Sequence, residues 1–411
     1  MRTKHYIAVM MMASGATVAR GFIMATLLDQ AQFGVYATSV AIGIFFSGLV
    51  SFGLVERTIK IYPRLWVEFR CVEAISHADS AGQTLVRRFF FLLPFSVISA
   101  YSIGLTVAVG FCVAGVAIST AISGLYASLQ RATGDTRNLS ISTLFRAVLS
   151  VSLATFGAMT VGWYGAILGE IVASILGALV SRRHSVLLTR SNLISDTTKK
   201  ILTTPEAVTD AKGMWVFWGF LAASVPAYLD RSFVSANFGV ALGGTYAFLL
   251  LFVAGVNAFA GIVAQKIGPM LIHMERAGDS LRKQVGYTIQ WVGFVWLVWL
   301  VGLVLLFIGL KWGPLTYFDK KYLIDYSLLP AIAALGCLQV SVFFDFLLLS
   351  RDREVFLFSA SCSYMVVILL AAAVTYGFRL PMIDFIWLLT FAKLIHVGVQ
   401  VTLVFWVRAI R

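Results

Sequence analysis

Long apolar stretches alternate with short polar ones along the whole chain. Most of the apolar stretches reach the roughly 20 residues that a helix needs to span the hydrocarbon of a bilayer. The pattern therefore predicts twelve membrane-spanning helices, and the predicted fold class is an all-α polytopic membrane protein. The predicted helices cover residues 6–28, 33–56, 88–109, 111–130, 140–161, 164–181, 214–237, 244–266, 285–310, 327–350, 355–377 and 383–407.

The stretch 88–130 needs to be divided. A single helix of this length would extend about 65 Å, roughly twice the thickness of the hydrocarbon. We therefore expect two helices here, joined by a tight turn near Gly110. The first apolar stretch does not match a cleavable signal peptide, because it is too long, contains Arg20 and ends in Asp29-Gln30 rather than in small residues.

Charged residues are rare and unevenly placed. They make up 12% of the chain, against about 25% in an average soluble domain, and the mean hydropathy is +0.88. Of the 32 Lys and Arg, 24 lie at the termini or in the gaps after even-numbered helices, and 4 lie in the other gaps. Because cytoplasmic loops are enriched in Lys and Arg, both termini are predicted to be cytoplasmic. The net charge of +13 therefore reflects the placement of Lys and Arg in cytoplasmic loops. Because these basic residues are spread over seven separate places, the sequence argues against a nucleic-acid partner.

The loops predict how the chain is divided. The outer loops are short, with the exception of 311–326. Loops of this length leave no room for a periplasmic catalytic domain. The largest cytoplasmic segment, 182–213, is polar and basic and is predicted to be a linker. It separates an N-lobe (1–181) from a C-lobe (214–411), each with six helices.

The two halves resemble each other at an offset of 210 positions. At this offset Gly34-x-Tyr36-Ala37 aligns with Gly244-x-Tyr246-Ala247, and Ala13-Ser14 aligns with Ala223-Ser224. An even number of helices in each half means that both repeats enter the membrane from the same side. Such parallel repeats place a substrate site between them, near the middle of the bilayer.

Four cations lie inside predicted spans. A cation there costs roughly 2.5–3.5 kcal/mol even on lenient insertion scales, so such residues are usually functional. The four are predicted to line the cavity and bind substrate, and carboxylates within the spans are predicted to pair with them or to carry protons. The cations are Arg20, Arg146, Arg231 and Lys393, and the coupling or pairing carboxylates are Asp230 and Glu170.

Other interpretations of these charges stay open. Arg20 is the expected partner of Asp230, as a structural ion pair between lobes, as part of a substrate site, or as both. Arg146 and Asp345 can alternatively reach the inner interface with their polar ends. Lys393 is central in its span, with His396 one turn away on the same face.

No motif for metal, cofactor or catalysis is present in the sequence. The four cysteines are scattered singly, and neither a G-x-x-x-x-G-K-[ST] nor an H-E-x-x-H sequence occurs. The sequence therefore predicts no metal, no cofactor and no enzymatic activity.

Several short stretches together resemble a known family, the polysaccharide-transport branch of the MOP superfamily (Wzx-type O-antigen flippases). Their order and spacing along the whole chain carry the resemblance. The stretches are Gln32-Phe-Gly-Val-Tyr-Ala37, Gly53-Leu54, Ile61-Tyr-Pro63, Arg131-Ala-Thr-Gly-Asp135, Trp163-Tyr-Gly-Ala-Ile-Leu-Gly169, Asp230-Arg231 and Gly244-Thr-Tyr-Ala247. MATE multidrug exporters share the architecture, whereas the lipid II flippases of the superfamily usually have fourteen spans.

The resemblance implies a MATE-like, V-shaped pair of six-helix lobes around a cationic cavity. It implies a flippase of the bacterial inner membrane that moves an undecaprenyl-diphosphate-linked oligosaccharide to the periplasmic leaflet by alternating access. The implied partners are this lipid-linked glycan and membrane lipids, with a polysaccharide polymerase and chain-length proteins as candidates. The intramembrane cations suit a diphosphate, because Arg presents a bidentate fork to phosphate oxygens.

Three other functions compete with the flippase. A MATE-type exporter of small cations shares the architecture, but a cavity with four cations would repel such substrates. A membrane-bound glycan polymerase or ligase needs large periplasmic loops with catalytic Arg or His, and the predicted outer loops hold four cations and no histidine. A scaffold for polysaccharide assembly would not need charges inside the membrane.

Overall fold

The computed structural model describes residues 3–51, 54, 71–102, 104–132, 136–195, 211–313, 315–351 and 353–406. These residues form α-helices and two short 3₁₀ segments, Tyr326–Leu328 and Leu338–Val340. The helices are α1 (Thr3–Leu27), α2 (Gln30–Ser51), α3 (Cys71–Ser102), α4 (Val107–Ala132), α5 (Thr136–Val161), α6 (Trp163–Ser195), α7 (Ala211–Phe238), α8 (Val240–Arg276), α9 (Leu281–Trp312), α10 (Thr316–Tyr322), α11 (Leu329–Cys337), α12 (Ser341–Leu349), α13 (Glu354–Phe378) and α14 (Met382–Trp406).

The prediction of an all-α polytopic membrane protein is confirmed. Within the described ranges, eleven helical segments are long and apolar enough to cross a membrane. The remaining predicted span, 214–237, is the seventh in the chain and corresponds to α7, a helix of 28 residues. It contains the charged pair Asp230-Arg231.

Two predicted details were wrong. The turn between α3 and α4 lies at Gly104, which has a positive φ of 78°, six residues before the expected Gly110. Gly110 instead lies inside α4, where a Cβ would come within 2.6 Å of the Val97 Cα of α3. The span predicted at 327–350 is not one helix but α11 and α12, joined by a 3₁₀ turn.

Tryptophans of α9 stabilise this break. Trp296 Nε1 donates to the carbonyl oxygen of Cys337 at 2.8 Å, and Trp299 Nε1 donates to that of Ala333 at 3.0 Å. Carbonyl groups at a helix end lack partners within the helix, so donors from a neighbouring helix satisfy them where water is absent.

Some predictions fall outside the described residues. These are the motif residues 53, 61–63 and 133–135, the end of the second predicted span and the linker residues 196–210. The first part of the predicted linker is helical, because α6 continues to Ser195.

The chain packs as two compact units. The first contains Met1–Arg20 and Ser39–Phe217, and the second contains Gly21–Thr38 and Trp218–Arg411. The predicted lobes, 1–181 and 214–411, differ from these units because the tip of the α1–α2 hairpin packs with the second unit. The lobes stay a prediction.

Within the second unit, α2 and α8 cross with their backbones in contact. A Cβ at Gly34 would collide with the carbonyl oxygen of Val240, and a Cβ at Gly244 would collide with that of Gln30. Gly34 and Gly244 lie 210 positions apart, and so do Gln30 and Val240, which begin α2 and α8. The two copies of the repeated motif therefore meet at this crossing, at equivalent positions of their helices.

The predicted outer loop 311–326 contains α10, which holds the end of α1. Lys321 Nζ donates to the carbonyl oxygens of Ala25 and Thr26, each at 2.8 Å, and the Tyr322 hydroxyl donates to that of Ala25 at 2.8 Å. The last carbonyls of a helix have no partner within it, and a cation is favoured at this negative end of the helix dipole. We call Lys321 and Tyr322 the α1 clasp.

The clasp is fixed by packing as well as by hydrogen bonds. The Tyr322 ring stacks on Phe248 with centroids 4.8 Å apart and meets the edge of Phe33 at 5.9 Å. Thr245 Oγ1 donates to the Tyr322 carbonyl oxygen at 2.9 Å and accepts from Gln30 Nε2 at 2.6 Å. Burial raises the pKa of the Tyr322 phenol, so its hydroxyl keeps its proton and remains a donor.

In the first unit, α5 and α6 form an equally close hairpin. A Cβ at Gly157 or at Gly165 would collide with the carbonyl oxygen of the other residue, and one at Gly169 would collide with that of Leu153. Both α6 glycines belong to one of the sequence motifs. The next residue, Glu170, is thereby held close to α5, and this placement matters for the site described below.

We predict that Gly244→Ala destabilises the protein. The added methyl group cannot be accommodated without separating α2 from α8, and overpacking of this kind costs roughly 1–3 kcal/mol. Thermal unfolding of the detergent-solubilised protein measures the change. Gly255→Ala in the same helix is the matched control, because a Cβ there meets no atom within 4 Å. Equal unfolding temperatures for the two variants would contradict the close crossing.

The clasp predicts a difference in reactivity between two adjacent lysines. Lys320 is exposed, whereas Lys321 is half-buried and donates to α1. An amine-acylating reagent should therefore modify Lys320 several-fold faster than Lys321 in the folded protein, as measured by peptide mass spectrometry. Equal rates before unfolding would show that Lys321 does not hold α1.

Candidate functional site

The first unit contains a charged group built on three helices. Arg20 of α1 forms an ion pair with Glu170 of α6, with 3.0 Å between Nη1 and Oε2. The same Nη1 donates to the Ser150 hydroxyl of α5 at 2.6 Å. The Arg20 side chain is 19% exposed and that of Glu170 is 9% exposed. This ion pair is therefore largely shielded from the surroundings of the unit.

A second arginine lies near this pair. Arg146 of α5 donates through Nη1 to the Ser123 hydroxyl of α4 at 2.8 Å. Its aliphatic stem crosses Gly177 of α6, where a Cβ would come within 2.8 Å of it. Arg146 also interacts electrostatically with Arg20 and Glu170.

We call this group the Arg20 cluster; it consists of Arg20, Arg146, Glu170, Ser123 and Ser150. It holds two guanidinium groups and one carboxylate, so it carries an excess positive charge. The hydroxyls add hydrogen-bonding capacity without charge. Such a group can bind an anion with several oxygens.

Further polar side chains continue from this cluster within the first unit. Gln130 of α4 accepts a hydrogen bond from the Ser142 hydroxyl at 2.9 Å and donates to the carbonyl oxygen of Ser181 at 3.4 Å. All three residues are buried. The interface of α4, α5 and α6 therefore contains buried polar side chains in addition to those of the Arg20 cluster.

The second unit contains the remaining predicted site residues. The buried carboxylate of Asp230 in α7 accepts from the Tyr246 hydroxyl of α8 at 2.7 Å and from the backbone N–H of Arg231 at 2.6 Å. Tyr246 is fully buried. Among the described residues, the buried Nε of Arg231 has no hydrogen-bond partner.

Lys393 of α14 lies over the ring of Tyr364 of α13, with 4.8 Å between Nζ and the ring centroid. The His396 ring lies 4.9 Å from the same Tyr364 ring. His396 Nδ1 contacts the Ala360 carbonyl oxygen at 3.0 Å, so Nδ1 carries the proton. The prediction that Lys393 and His396 share a face is confirmed.

The carboxylate of Asp345 also belongs to the group around Lys393. Asp345 of α12 accepts a hydrogen bond from Gln400 of α14 and interacts electrostatically with Lys393. Asp230 interacts in the same way with Tyr364. We call this group the Lys393 cluster; it consists of Lys393, Tyr364, His396, Asp345 and Gln400.

The structure thus divides the six predicted site residues between two units. Within the first unit Arg20 pairs with the carboxylate of Glu170, and within the second unit Asp230 accepts from Tyr246. The expected pairing of Arg20 with Asp230 joins the two units and stays a prediction. Arg146 and Asp345 each bond to a neighbouring helix. The alternative that their polar ends reach the inner interface stays a prediction. That all four cations line one cavity stays a prediction.

Sequence reasoning missed the neutral partners of these charges. Ser123, Ser150, Tyr364 and Gln400 lie in apolar runs in which serine, tyrosine and glutamine occur often, so nothing in the sequence selects them. Tyr246 was the exception, because it belongs to the repeated motif. Its carboxylate partner could still not be read from the sequence.

One arginine that the sequence analysis assigned to a cytoplasmic loop, Arg351, instead forms a buried ion pair. Arg351 Nη2 lies 3.0 Å from Glu275 Oε2 in the second unit, with only 8% of the Arg351 side chain exposed. The fully buried Gln284 donates to Glu275 at 2.8 Å and accepts from Arg351 Nε at 3.3 Å. These three side chains join the ends of α8, α9 and α12.

Comparison with known proteins identifies the fold. No protein-family model and no curated protein sequence matches the chain. Solved structures do match, over nearly the full length. A MATE structure in complex with MaL6 has a TM-score of 0.63 and 13% identity, over 97% of this chain and 94% of that one. An inward-facing multidrug resistance MATE transporter of the MOP superfamily has a TM-score of 0.57 and 13% identity, over 98% and 94%.

A third match comes from Pyrococcus furiosus. It is described as a MOP superfamily transporter whose binding pocket has reverse polarity, which suggests a different function for it. Its TM-score is 0.62 at 14% identity, over 97% of this chain and 94% of that chain. The chain is therefore a multi-pass membrane protein with the fold of the MATE transporters.

The second unit yields a prediction for Tyr246. Tyr246→Phe removes the hydroxyl that donates to Asp230 and leaves a buried carboxylate oxygen without it. A buried polar group without its partner costs about 1–3 kcal/mol, so the variant should unfold at a lower temperature than the wild type. Tyr376→Phe is the control, because that tyrosine is 72% exposed in the same unit. If both variants unfold like the wild type, this bond contributes nothing to stability.

Proposed function

We propose that this protein is a flippase of the bacterial inner membrane. Its substrate is an undecaprenyl-diphosphate-linked oligosaccharide, the repeat unit of O-antigen or of another surface polysaccharide. The protein moves it from the cytoplasmic to the periplasmic leaflet by alternating access. Membrane lipids surround it, and a polysaccharide polymerase and chain-length proteins receive its product.

One observation carries this proposal. The Arg20 cluster places two guanidinium groups in the interior of a membrane-embedded helical unit, with a single carboxylate beside them. A diphosphate carries its charge on several oxygens, and Arg binds such oxygens through parallel, charge-assisted hydrogen bonds. The weak hydration of guanidinium favours this where water is scarce.

The polar hydroxyls of the same unit suit the rest of the headgroup. Ser123 and Ser150 already bond to the arginines, and a sugar presents hydroxyl groups of the same kind. The polyprenyl tail needs no binding site of its own, because it is as apolar as the surrounding lipid.

The membrane potential favours the proposed direction. With the inside negative, outward movement of an anion gains roughly 2.3 kcal/mol per charge per 100 mV. Proton entry through a carboxylate such as Asp230 or Glu170 would add to this driving force. Measuring transport with and without a pH gradient separates the two contributions.

One solved structure of this fold is described with a binding pocket of unusual polarity. The Pyrococcus furiosus structure is said to have a binding pocket of reverse polarity, so proteins of this fold differ in the charge that they offer a ligand. An excess of arginine in one unit is an arrangement that would attract anions. An exporter of small organic cations would gain nothing from Arg20 and Arg146.

An exporter of organic cations is nevertheless a second candidate, because the second unit holds buried carboxylates, Asp230 and Asp345, beside an aromatic ring. A carboxylate and a tyrosine face can bind a cation. This candidate predicts that cells lacking the protein accumulate cationic dyes and keep their surface polysaccharide. The flippase predicts the reverse.

We predict that Arg20→Ala, Arg146→Ala and Arg231→Ala each lose headgroup translocation while the protein still inserts. Losing a hydrogen bond to a charged group costs about 1.5–3 kcal/mol, which weakens headgroup binding by roughly 10- to 150-fold. The assay is translocation of the lipid-linked oligosaccharide in reconstituted vesicles, with complementation of surface polysaccharide in cells.

Arg137→Ala is the matched control. Arg137 lies in α5 like Arg146, but it is exposed at the start of the helix. It removes the same charge without touching the Arg20 cluster, so transport should continue. Full complementation by the Arg20 and Arg146 variants would disprove the cationic site.

A further inference from the structure

Glu170 occupies the position on Arg20 that a phosphate group would need. Its Oε2 lies 3.0 Å from Arg20 Nη1, which also donates to the Ser150 hydroxyl. Both side chains are shielded, and the close α5–α6 hairpin holds Glu170 in place. Carboxylate and phosphate oxygens both carry negative charge, and both accept charge-assisted hydrogen bonds from a guanidinium group. The two therefore compete for Arg20.

The cluster also offers the carboxylate another place. Arg146 lies within electrostatic reach of Glu170, and its nearest bonded partner, Ser123, is neutral. A carboxylate displaced from Arg20 thus stays close to a positive charge. Removing a buried carboxylate from one cation without such compensation would be strongly unfavourable.

We propose that Glu170 is the resident counter-anion of the substrate site, and that the phosphate groups of the substrate displace it from Arg20. This rests on the proposed function. In the empty site Glu170 neutralises Arg20 and keeps the two arginines from repelling each other. In the loaded site a phosphate takes its place, and Arg146 accommodates the carboxylate.

The exchange gives the protein selectivity and a means of release. A ligand with one weak negative charge does not outcompete a carboxylate that is already in place. A diphosphate does, because it contacts Arg20 with several oxygens at once. When the substrate is to leave, the carboxylate returns to Arg20 and replaces the lost interaction, so the site does not hold its ligand too tightly.

The test is binding of inorganic pyrophosphate to the purified, detergent-solubilised protein, measured by isothermal titration calorimetry. Glu170→Gln keeps the shape and the hydrogen-bonding oxygen but removes the competing charge. We expect it to bind pyrophosphate at least about tenfold more tightly than the wild type. In reconstituted vesicles the same variant should release headgroups more slowly.

Glu275→Gln is the matched control. Glu275 forms an ion pair of the same length with Arg351 in the other unit, so this variant loses the same charge outside the Arg20 cluster. It should bind pyrophosphate like the wild type. If it binds as tightly as Glu170→Gln, net charge alone explains the gain and the proposal is wrong.

A second measurement uses the wild type and does not depend on how the variant folds. A hydrophobic carbodiimide modifies accessible carboxyl groups, and peptide mass spectrometry locates the product. Pyrophosphate should increase modification of Glu170 and leave Glu275 unchanged. No increase at Glu170 would overturn the exchange.

The outcomes separate this inference from the proposed function. If the wild type binds pyrophosphate and Glu170→Gln binds it no more tightly, the counter-anion role is wrong and the flippase proposal stands. If wild type and Arg20→Ala bind it equally or not at all, both fail. Farnesyl diphosphate in a parallel titration distinguishes a lipid headgroup from free diphosphate, because only the former is expected to gain affinity from its chain.

Discussion

Water is absent from the interior of a membrane, so each ionised side chain there must find its partner in the protein. The arrangement of helices meets this requirement for three of the four predicted intramembrane cations. Arg20 receives a carboxylate and a hydroxyl, Arg146 a hydroxyl, and Lys393 the face of an aromatic ring. Each partner comes from a different helix. The charges therefore select which helices stand next to one another.

Such partners need short distances between helices, and small residues provide them. The α5–α6 hairpin and the crossing of α2 and α8 both rest on pairs of glycines whose backbones touch. In the first case the contact holds Glu170 where Arg20 can reach it. In the second it joins the two copies of a repeated motif. The close packing of glycines thus helps to position the charged side chains.

Much of the fold was readable from the sequence because hydropathy reports burial in lipid directly. The helices and the presence of charges within them followed from hydropathy, and the offset of the repeat followed from short residue identities. The turn at Gly104 did not, because a glycine in an apolar run marks a turn and a close crossing equally well. The break between α11 and α12 was invisible, since its residues are as apolar as their neighbours. Pairings such as Arg20 with Glu170 join distant parts of the chain, and no local pattern encodes them.

The α1 clasp has a consequence for how the protein is made. Tyr322 bonds to Ala25, a residue that precedes it by 297 positions. The residues that satisfy the final carbonyls of α1 are therefore synthesised only after α9, long after α1 itself. Until then the tip of the first hairpin has to rely on interfacial water for these groups. Its native position is therefore fixed only after Lys321 and Tyr322 have been synthesised.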